Sequence, residues 1–555
     1  MTIKLTGGRI YDPANGINGE VRDIYVTDGR IVAGTPDTPV TQEYDVKGKV
    51  VMAGAIDPHT HIGGGKVTIG RMMLPEDHDK DPVAHTALTR AGTGHAVPST
   101  LLTGYRYAEM GYTACFEPAM LPANARQAHL EMGDTPMVDK GAFAMLGSDD
   151  YLLRLMSQKA DFEQIKDYIA WTMHASQAIA VKVVNPGGIS AFKFNQRKLD
   201  LDETNSYYGV TPRDILLTLS RGLLELGVTH PLHVHGCNLG IPGNVETTLA
   251  TIRATDGLPL HLTHIQFHSY ATEGDRHFSS GAVQVAELLK KYPNISVDVG
   301  QVLFGATCTA SGDSMRQYTG AKNADPKRWV VMDIECDAGC GVVPFRYRDK
   351  SYVHALMWAI GLETFLLCED PWRIFLTTDH PNGAPFYTYP HLIRLLMDRS
   401  FRKEMMLKVN PDALKYSTLP SLEREYSLYD VAIMTRAGPA RSLGLTNLGH
   451  LGVGAFGDIT VYDDNSDREA MFATPRFVFK NGELIVRDGK VVKVVQGATH
   501  VSRPQYDRSA IEKPLKEYFD RFHTMRMENF RLSDDEIIEG GRGQIVIQPT
   551  KARTQ

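Results

Sequence analysis

Cysteine is scarce in this sequence, and its distribution excludes most of the chemistry that thiols support. Only six cysteines occur in 555 residues. They are too few and too scattered for a disulfide framework, so reduced thiols are expected. Cys336 and Cys340 form one isolated Cys-x3-Cys, and without a second thiol pair they predict neither a zinc site nor an iron-sulfur site.

Long apolar runs and an excess of charge of one sign are also missing. No stretch reaches the roughly 18 apolar residues that span a bilayer, and the first residues lack a signal-peptide core, so a cytoplasmic location is expected. The formal net charge of -6 favours neither nucleic acid nor a membrane surface as a partner. The absence of a P-loop and of a Gly-x-Gly-x-x-Gly motif after a strand weakens any nucleotide-dependent function.

Both ends of the chain carry the pattern of short β-strands joined by tight turns. An Asp-Gly dipeptide separates two β-branched runs at residues 28–29, and another does so at residues 488–489. We therefore predict that residues 1–52 and 441–500 are the two halves of one composite β-domain, a β-sandwich.

The middle of the chain, residues 53–440, alternates short apolar runs with segments of helical length such as 212–226 and 283–291. This alternation is typical of βαβ units around a parallel sheet, and enough units fit for a closed (β/α)8 barrel. The predicted fold class is therefore α/β, a TIM-like barrel with the composite β-domain beside it. In such barrels the chemistry takes place where the strands end.

Two segments depart from these patterns. Residues 63–106 are rich in Gly, His, Met and Thr and lack periodicity. Because they directly follow a His-x-His motif, we interpret them as a lid or a wall of the substrate site, with a solvated surface loop as the alternative. Residues 501–555 form a C-terminal extension, and its charged, helix-prone part at 513–529 is interpreted as an arm that packs against another chain.

The motif Ile-Asp-Pro-His-Thr-His at residues 56–61 closes an apolar strand. Side chains on a strand repeat every two residues, so His59 and His61 point to the same side, where their imidazoles would suit a divalent metal. For an isolated motif, half-buried histidines with backbone hydrogen bonds are the alternative. Further candidate ligands at the ends of later apolar runs favour the metal.

These later candidates begin with Lys182, which lies inside an apolar strand. Burial would lower its pKa and favour the neutral amine, which can add carbon dioxide and form a carbamate that bridges two metals. A lysine that snorkels to solvent and a Schiff-base lysine are the alternatives. His235, His264 and Asp379 also follow apolar runs, and their donor atoms suit zinc. Two zinc ions there would polarise a carbonyl group, so hydrolysis of an amide is the predicted reaction.

The order of these residues resembles that of the amidohydrolase superfamily. Within it, residues 51–65, 181–188, 233–240 and 377–383 are similar to the A-subunit family of formylmethanofuran dehydrogenase, and the likeness runs over nearly the whole chain. The resemblance implies a barrel of the metal-dependent hydrolase type with a β-domain composed from both termini.

The resemblance also implies a ligand set, a reaction and partners. The reaction interconverts N-formylmethanofuran and water with methanofuran and formate. The partners are the other subunits of a formyltransferase/hydrolase complex or of a formylmethanofuran dehydrogenase complex, and the modest surface charge favours the bacterial hydrolase. The implied ligands are His59 and His61 on one zinc ion, His235 and His264 on the other, Lys182 as a bridging N6-carboxylysine, and Asp379 as both ligand and proton carrier.

Other side chains near these residues are given lesser roles. His233 and His261 fall on no ligand position and are interpreted as core or supporting histidines. Aromatic residues near positions 304, 345, 386 and 387 are candidates for a channel that binds the furfurylamine group. The candidates for substrate binding are Asn185, His268 and His380.

Two other functions remain open at this point. A cyclic amidase of the hydantoinase or dihydroorotase type would use the same metals on a ring amide. A structural scaffold on a barrel without metals is the second alternative, and the presence of all six candidate ligands argues against it.

Overall fold

Parallel strands in chain order form the centre of the structure, which is a computed structural model of the chain. They belong to a sheet of ten strands, and neighbouring strands of the series run parallel. The strands are buried and mostly apolar, as expected where both faces of a parallel sheet are covered. The eight strands of the series are Ala55–Asp57, Tyr112–Met120, Asp139–Met145, Ala180–Val184, Leu232–His235, Leu260–Leu262, Ile295–Asp298 and Ile374–Phe375.

The structure describes most of the chain. Cys336, one of the two cysteines of the isolated Cys-x3-Cys, lies outside the described residues. These residues are 1–35, 37–80, 82–188, 199–312, 322–328, 330–332, 340–539 and 542–550.

The first and last strands of the parallel series meet just beyond their carboxyl ends. Thr60 forms a parallel bridge with His380. The His61 N–H donates to the His380 carbonyl oxygen at 2.8 Å, and the Thr60 N–H donates to the Phe116 carbonyl oxygen at 3.0 Å. The sheet is therefore curled, and the carboxyl ends of its strands surround one region.

Helices connect the parallel strands, as parallel pairing requires. The predicted segments 212–226 and 283–291 correspond to two of them, the first of which starts with a capping box between Thr211 and Asp214. No helix of the described ranges is both long and apolar enough to cross a membrane. Up to residue 443, the described residues form the α-helices Gly65–Met73, Thr100–Glu109, Ala125–Gly133, Asp150–Ser157, Phe162–Ala175, Pro212–Glu225, Val245–Ala254, Ala282–Lys291, Tyr352–Leu367, Tyr389–Met397, Arg399–Lys408, Pro411–Leu414, Leu428–Ala432 and Gly438–Leu443.

A second sheet contains strands from both ends of the chain. It has nine strands in one hydrogen-bonded sheet, and Val50–Ala53 pairs antiparallel with Ile459–Tyr462. Both Asp-Gly turns adopt the positive φ values that tight hairpins need. The strands are Thr2–Asp12, Ile17–Thr27, Arg30–Val32, Gln42–Asp45, Val50–Ala53, Ile459–Tyr462, Phe477–Lys480, Glu483–Arg487 and Lys490–Val491.

The segment 63–106 contains more regular structure than its sequence indicated. It carries the helices Gly65–Met73 and Thr100–Glu109, and the first of these packs on a sheet of three strands. That contact buries Val67 against Val342 in one apolar cluster. The helix was missed because its packing partner comes from far along the chain. The three strands are Gly305–Gly312, Val330–Met332 and Cys340–Tyr347.

The C-terminal extension packs on its own chain, and its role as an arm against another chain stays a prediction. Thr499–Ser502 joins the parallel sheet beside Asp139–Met145, and Ile545–Gln548 pairs with it. Because Thr499–Ser502 belongs to this sheet, the predicted β-domain boundary at 500 falls inside one of its strands. The helix Arg508–Phe522 packs against Phe162–Ala175. The remaining C-terminal helices are Arg468–Ala473, Met527–Phe530 and Asp534–Ile538.

Candidate metal centre

His59, His61 and Asp379 converge where the first and last parallel strands meet. Asp379 Oδ1 lies 2.9 Å from His59 Nε2 and 3.3 Å from His61 Nε2. All three side chains are buried, yet His59 Nε2 forms no hydrogen bond with any residue that the structure describes. Nitrogen and oxygen atoms that converge in this way are typical of ligands that share one metal ion. These three residues therefore form a candidate metal site.

His235 and His264 lie beside this group, at the ends of the next strands. Their ring centroids are 4.6 Å apart, and the His264 ring lies 5.4 Å from the His59 ring. His264 Nδ1 is buried and has no hydrogen-bond partner among the described residues. The structure therefore brings both predicted ligand pairs to one region. Within the described residues the ligand atoms of His59, His61 and Asp379 form one tight cluster, and those of His59, His233 and Asp298 form a second.

Lys182 lies on the strand Ala180–Val184, next to His233 in register, and is 2 % exposed. Burial lowers the pKa of its amine to about 8, with a smaller lowering by Lys66 that Asp379 opposes. At this pKa about one tenth of the amine is neutral at pH 7, compared with about 0.03 % for an ordinary lysine. The fold thus favours the form that reacts with carbon dioxide.

The Asp379 carboxylate stays ionised in this setting. Burial alone would raise its pKa, but the charges of His59 and His264 hold the pKa well below its usual range. Asn382 Nδ2 donates to Asp379 Oδ1 at 2.9 Å and fixes the orientation of the carboxylate. An ionised, oriented carboxylate can coordinate a cation or accept a proton.

Two further carboxylates, which the sequence reasoning missed, lie behind the first histidine pair. Glu117 Oε1 lies 2.9 Å from His61 Nδ1, and Glu117 Oε2 accepts the Ile62 N–H at 2.8 Å. Asp298 Oδ2 lies 3.2 Å from His59 Nδ1. A carboxylate at Nδ1 directs the other ring nitrogen towards a metal. In the sequence, the only sign of either residue is a single acidic residue in the carboxyl-terminal half of an otherwise apolar strand.

His233 and His261 are placed behind the predicted ligands. His233 Nε2 lies 2.9 Å from His59 Nδ1, and His261 Nε2 lies 3.1 Å from Asp298 Oδ2. Both rings are fully buried. His233 therefore contacts a proposed ligand, and His261 contacts a carboxylate beside it; their supporting role stays a prediction.

The three predicted substrate-binding residues border the same region. The Asn185 N–H donates to the His235 carbonyl oxygen at 2.8 Å. The His268 ring lies 5.5 Å from the His235 ring. The Phe386 N–H donates to His380 Nδ1 at 3.3 Å, and burial lowers the pKa of His380 to about 3, so this ring is neutral.

The aromatic residues predicted for a substrate channel are divided between two places. Phe386 lies edge-on to His380, with centroids 4.9 Å apart. Tyr387 follows it and packs on His95 of the segment 63–106. Phe304 packs against Trp358 and Phe345 against Tyr347. Of the four, Phe386 alone therefore touches a predicted site residue through a ring contact that the structure describes.

The donor atoms at this centre fit zinc. Imidazole nitrogens and carboxylate oxygens are its usual non-thiolate ligands, and His59 Nε2 and His264 Nδ1 are buried without a hydrogen bond from the described chain. A buried polar atom without a partner is costly, and a bound cation removes that cost.

Comparisons with known proteins identify the family to which the chain belongs. The model of the amidohydrolase family matches residues 42–493, so the chain belongs to the amidohydrolase family and is a hydrolase. It is 42 % identical over 528 residues to the A-subunit of the formyltransferase/hydrolase complex Fhc of Methylorubrum extorquens, covering 94 % of this chain and 95 % of that protein. It is also 40 % identical to Protein FwdA of Methanocaldococcus jannaschii, covering 96 % and 97 %.

A solved structure matches over the same length. The crystal structure of the formyltransferase/hydrolase complex (FhcABCD) from Methylorubrum extorquens in complex with methylofuran has a chain with a TM-score of 0.92 and 40 % identity. The match covers 99 % of this chain and 100 % of that chain. The resemblance to the A-subunit family, first inferred from motifs, is confirmed.

Proposed function

We propose that this chain is a dinuclear zinc amidohydrolase that cleaves the C–N bond of a formamide. His59 and His61 would bind one zinc ion and His235 and His264 the other. Lys182 would bridge both as N6-carboxylysine. The observation that carries the proposal is the convergence of His59, His61 and Asp379, in which the buried His59 Nε2 makes no hydrogen bond within the described chain.

The residues of the chain divide the work of hydrolysis. Bound zinc would act as a Lewis acid that polarises the formyl carbonyl and lowers the pKa of water. Asp379 would accept the proton of the water that attacks the formyl carbon, and pass it to the amine as the C–N bond breaks. Asn382 keeps the carboxylate in one orientation for both transfers. The products are formate and the free amine.

We propose N-formylmethanofuran as the substrate, with methanofuran as the carrier of the formyl group. This rests on similarity over nearly the whole chain to the Fhc A-subunit and to a complex determined with methylofuran. Asn185, His268 and His380 border the predicted zinc ligands and would contact the formyl end. The other subunits of a formyltransferase/hydrolase or related complex are the proposed partners.

The proposed architecture is a (β/α)8 barrel closed by the bridge between Thr60 and His380. The barrel would comprise residues 53–440, and the sheet that joins 1–52 with 441–500 would form the composite β-domain. Residues 501–555 would be an extension that braces the barrel.

An assay on the purified full chain tests the function. N-formylfurfurylamine would be offered beside a hydantoin and a dihydropyrimidine, and formate release or ring opening would be measured. We expect formate from the first compound only, and a loss of about 100- to 10,000-fold in Asp379→Asn with zinc still bound. Activity on the rings alone would favour a cyclic amidase, and normal turnover in Asp379→Asn would place proton transfer elsewhere.

A further inference from the structure

Two buried histidines behind the candidate metal centre, His230 and His233, extend a hydrogen-bonded chain from the proposed ligand His59. His230 Nε2 lies 3.0 Å from His233 Nδ1, and His233 Nε2 lies 2.9 Å from His59 Nδ1. At the far end, His230 Nδ1 lies 3.2 Å from the backbone carbonyl oxygen of Ser442 and 3.2 Å from its hydroxyl oxygen. Each of the three rings is at most 1 % exposed.

The carbonyl oxygen at the end of this chain decides where each ring carries its proton. Burial lowers the pKa of His230 to about 3, so this ring has one N–H at neutral pH. The His233 ring is fully buried between two imidazoles, which favours its neutral form with one N–H. A carbonyl oxygen only accepts, so the His230 proton lies on Nδ1. His230 Nε2 then accepts from His233 Nδ1, and His233 Nε2 in turn accepts from His59 Nδ1.

We propose that this chain fixes the tautomer of His59, with the proton on Nδ1 and the lone pair of Nε2 directed at the metal centre. His59 Nε2 lies 2.9 Å from Asp379 Oδ1 without a hydrogen bond, which is the state a metal ligand needs. His230 is thus a positioning residue that acts through two other rings. The proposal deepens the proposed function and rests on it for the identity of the metal.

Asp298 also contacts His59 Nδ1, but it is shared with a second ring, so the loss of His230 should still have a measurable effect on His59. Asp298 Oδ2 lies 3.2 Å from His59 Nδ1, but the same oxygen lies 3.1 Å from His261 Nε2. The carboxylate is therefore shared between two rings, while His233 offers the shorter contact to His59. Without His230, His233 would lose the acceptor that sets its tautomer and would be able to direct an N–H at His59.

The test compares three variants of the full chain. His230→Phe and His230→Gln interrupt the chain of imidazoles, whereas Ser442→Ala removes only the hydroxyl group and keeps the carbonyl acceptor. Zinc affinity would be measured by competition with a chromophoric chelator. We expect both His230 variants to bind zinc about 10- to 100-fold more weakly, as typical for partners that orient a ligand, and Ser442→Ala to bind as the wild type does.

A second measurement reads the tautomers without zinc. Nitrogen-15 NMR of the histidine-labelled apo protein should show a proton on Nδ1 of His230, His233 and His59, and none on Nε2 of His230 and His233. A proton on Nε2 of His233, no proton on Nδ1 of His59, or His230 variants with wild-type zinc affinity would overturn the proposal. A wild-type chain that binds no zinc would contradict the proposed function alone, and the NMR tautomers would then decide the histidine chain by themselves.

Discussion

Among the residues that the structure describes, Lys182 is one of two buried strand lysines whose pKa burial lowers to about 8. The other, Lys140, donates to the Thr135 carbonyl oxygen at 3.0 Å. The two residues share burial and pKa, but only Lys182 lies on the strand that ends between the predicted ligand pairs. Substitutions of the two lysines can therefore be compared to test whether Lys182 forms the carbamate that binds zinc.

Replacement of Lys182 by methionine should remove a zinc ligand, whereas the same change at Lys140 should not. We expect Lys182→Met to weaken zinc binding by more than about 100-fold, because loss of a ligand exceeds the 10- to 100-fold loss typical of a supporting residue. Lys140→Met should keep its zinc. The zinc content of each variant would be measured by metal analysis after dialysis against a chelator. Equal zinc contents would show that a carbamate on Lys182 does not bind zinc.

At the scale of residues, the sequence predicted the candidate ligands that lie in regular motifs. It did not predict the buried residues that contact those ligands. His59 and His61 were predictable because they directly follow an apolar run and are two positions apart, although the strand itself ends at Asp57. Glu117 and Asp298 were not, since one acidic residue in an apolar strand has no period, and their partners lie 56 and 239 residues away. His230 lies just before its strand and shows its role only through contacts made in the folded chain.

At the scale of elements, a buried carboxylate holds two parts of the segment 63–106 together. Asp77 accepts the N–H groups of His95, Ala96 and Val97 at 2.7, 3.0 and 3.1 Å. Tyr387, beside the candidate site, packs on His95. The segment therefore resembles a wall held in place, in keeping with one of the two roles interpreted from its sequence.

Loss of the Asp77 carboxylate should loosen this wall. Hydrogen bonds to a charged group contribute about 1.5–3 kcal/mol each, so Asp77→Ala should expose residues 75–98 to limited proteolysis and raise KM more than it lowers kcat. Asp79→Ala is the control, because its side chain is 74 % exposed in the same segment. Equal cleavage of the two variants would show that Asp77 does not hold the segment.

The C-terminal extension covers an aromatic surface of the barrel. The Phe530 ring stacks on Trp171 with centroids 5.5 Å apart, and Phe519 packs edge-on to both. The helix-prone pattern at 513–529 was visible in the sequence. Its packing partner was not, because Trp171 lies in a helix more than 300 residues earlier and nothing in a local pattern identifies it.

Truncation of Phe530 should therefore destabilise the helix Phe162–Ala175. A buried Phe→Ala change costs about 3–5 kcal/mol, so amide hydrogen exchange in that helix should speed up in Phe530→Ala. Phe522→Ala is the matched control, since this ring is 50 % exposed. Unchanged exchange in Phe530→Ala would mean that the extension adds little to the barrel.

At the scale of the whole molecule, one buried ion cluster joins three parts of the chain. Lys480 of the nine-stranded sheet lies 2.9 Å from Asp139 of the parallel sheet and 2.6 Å from Asp458. His500, on a C-terminal strand, lies 3.1 Å from Asp139. The two sheets and the extension thus meet at charges that are buried together.

Removal of the shared cation should destabilise the molecule without affecting the metal centre. Removal of one partner of a buried ion pair lowers the free energy of unfolding by about 3–5 kcal/mol, because the other charge stays buried without its partner. Here two carboxylates would lose their partner. Lys480→Met should therefore lower the free energy of unfolding in urea by this order, with zinc content unchanged. Lys490→Met, on an exposed position of the same sheet, should have no effect, and equal stability of the two variants would contradict the role of the cluster.

The general architecture was predictable from the sequence, and the contacts between its parts were not. Alternating strands and helices indicated the parallel sheet, and the Asp-Gly turns indicated hairpins at both ends. The three-stranded sheet that packs on Gly65–Met73 and the strand Thr499–Ser502 depend on pairing between distant segments, which no local pattern records.

The most direct test of the account is X-ray diffraction from crystals of the zinc-loaded full chain at the zinc absorption edge. The account predicts two anomalous peaks per chain among the six proposed ligands, with carboxylate density continuing from Lys182 Nζ between them. A bare lysine with one peak or none at this position would contradict it.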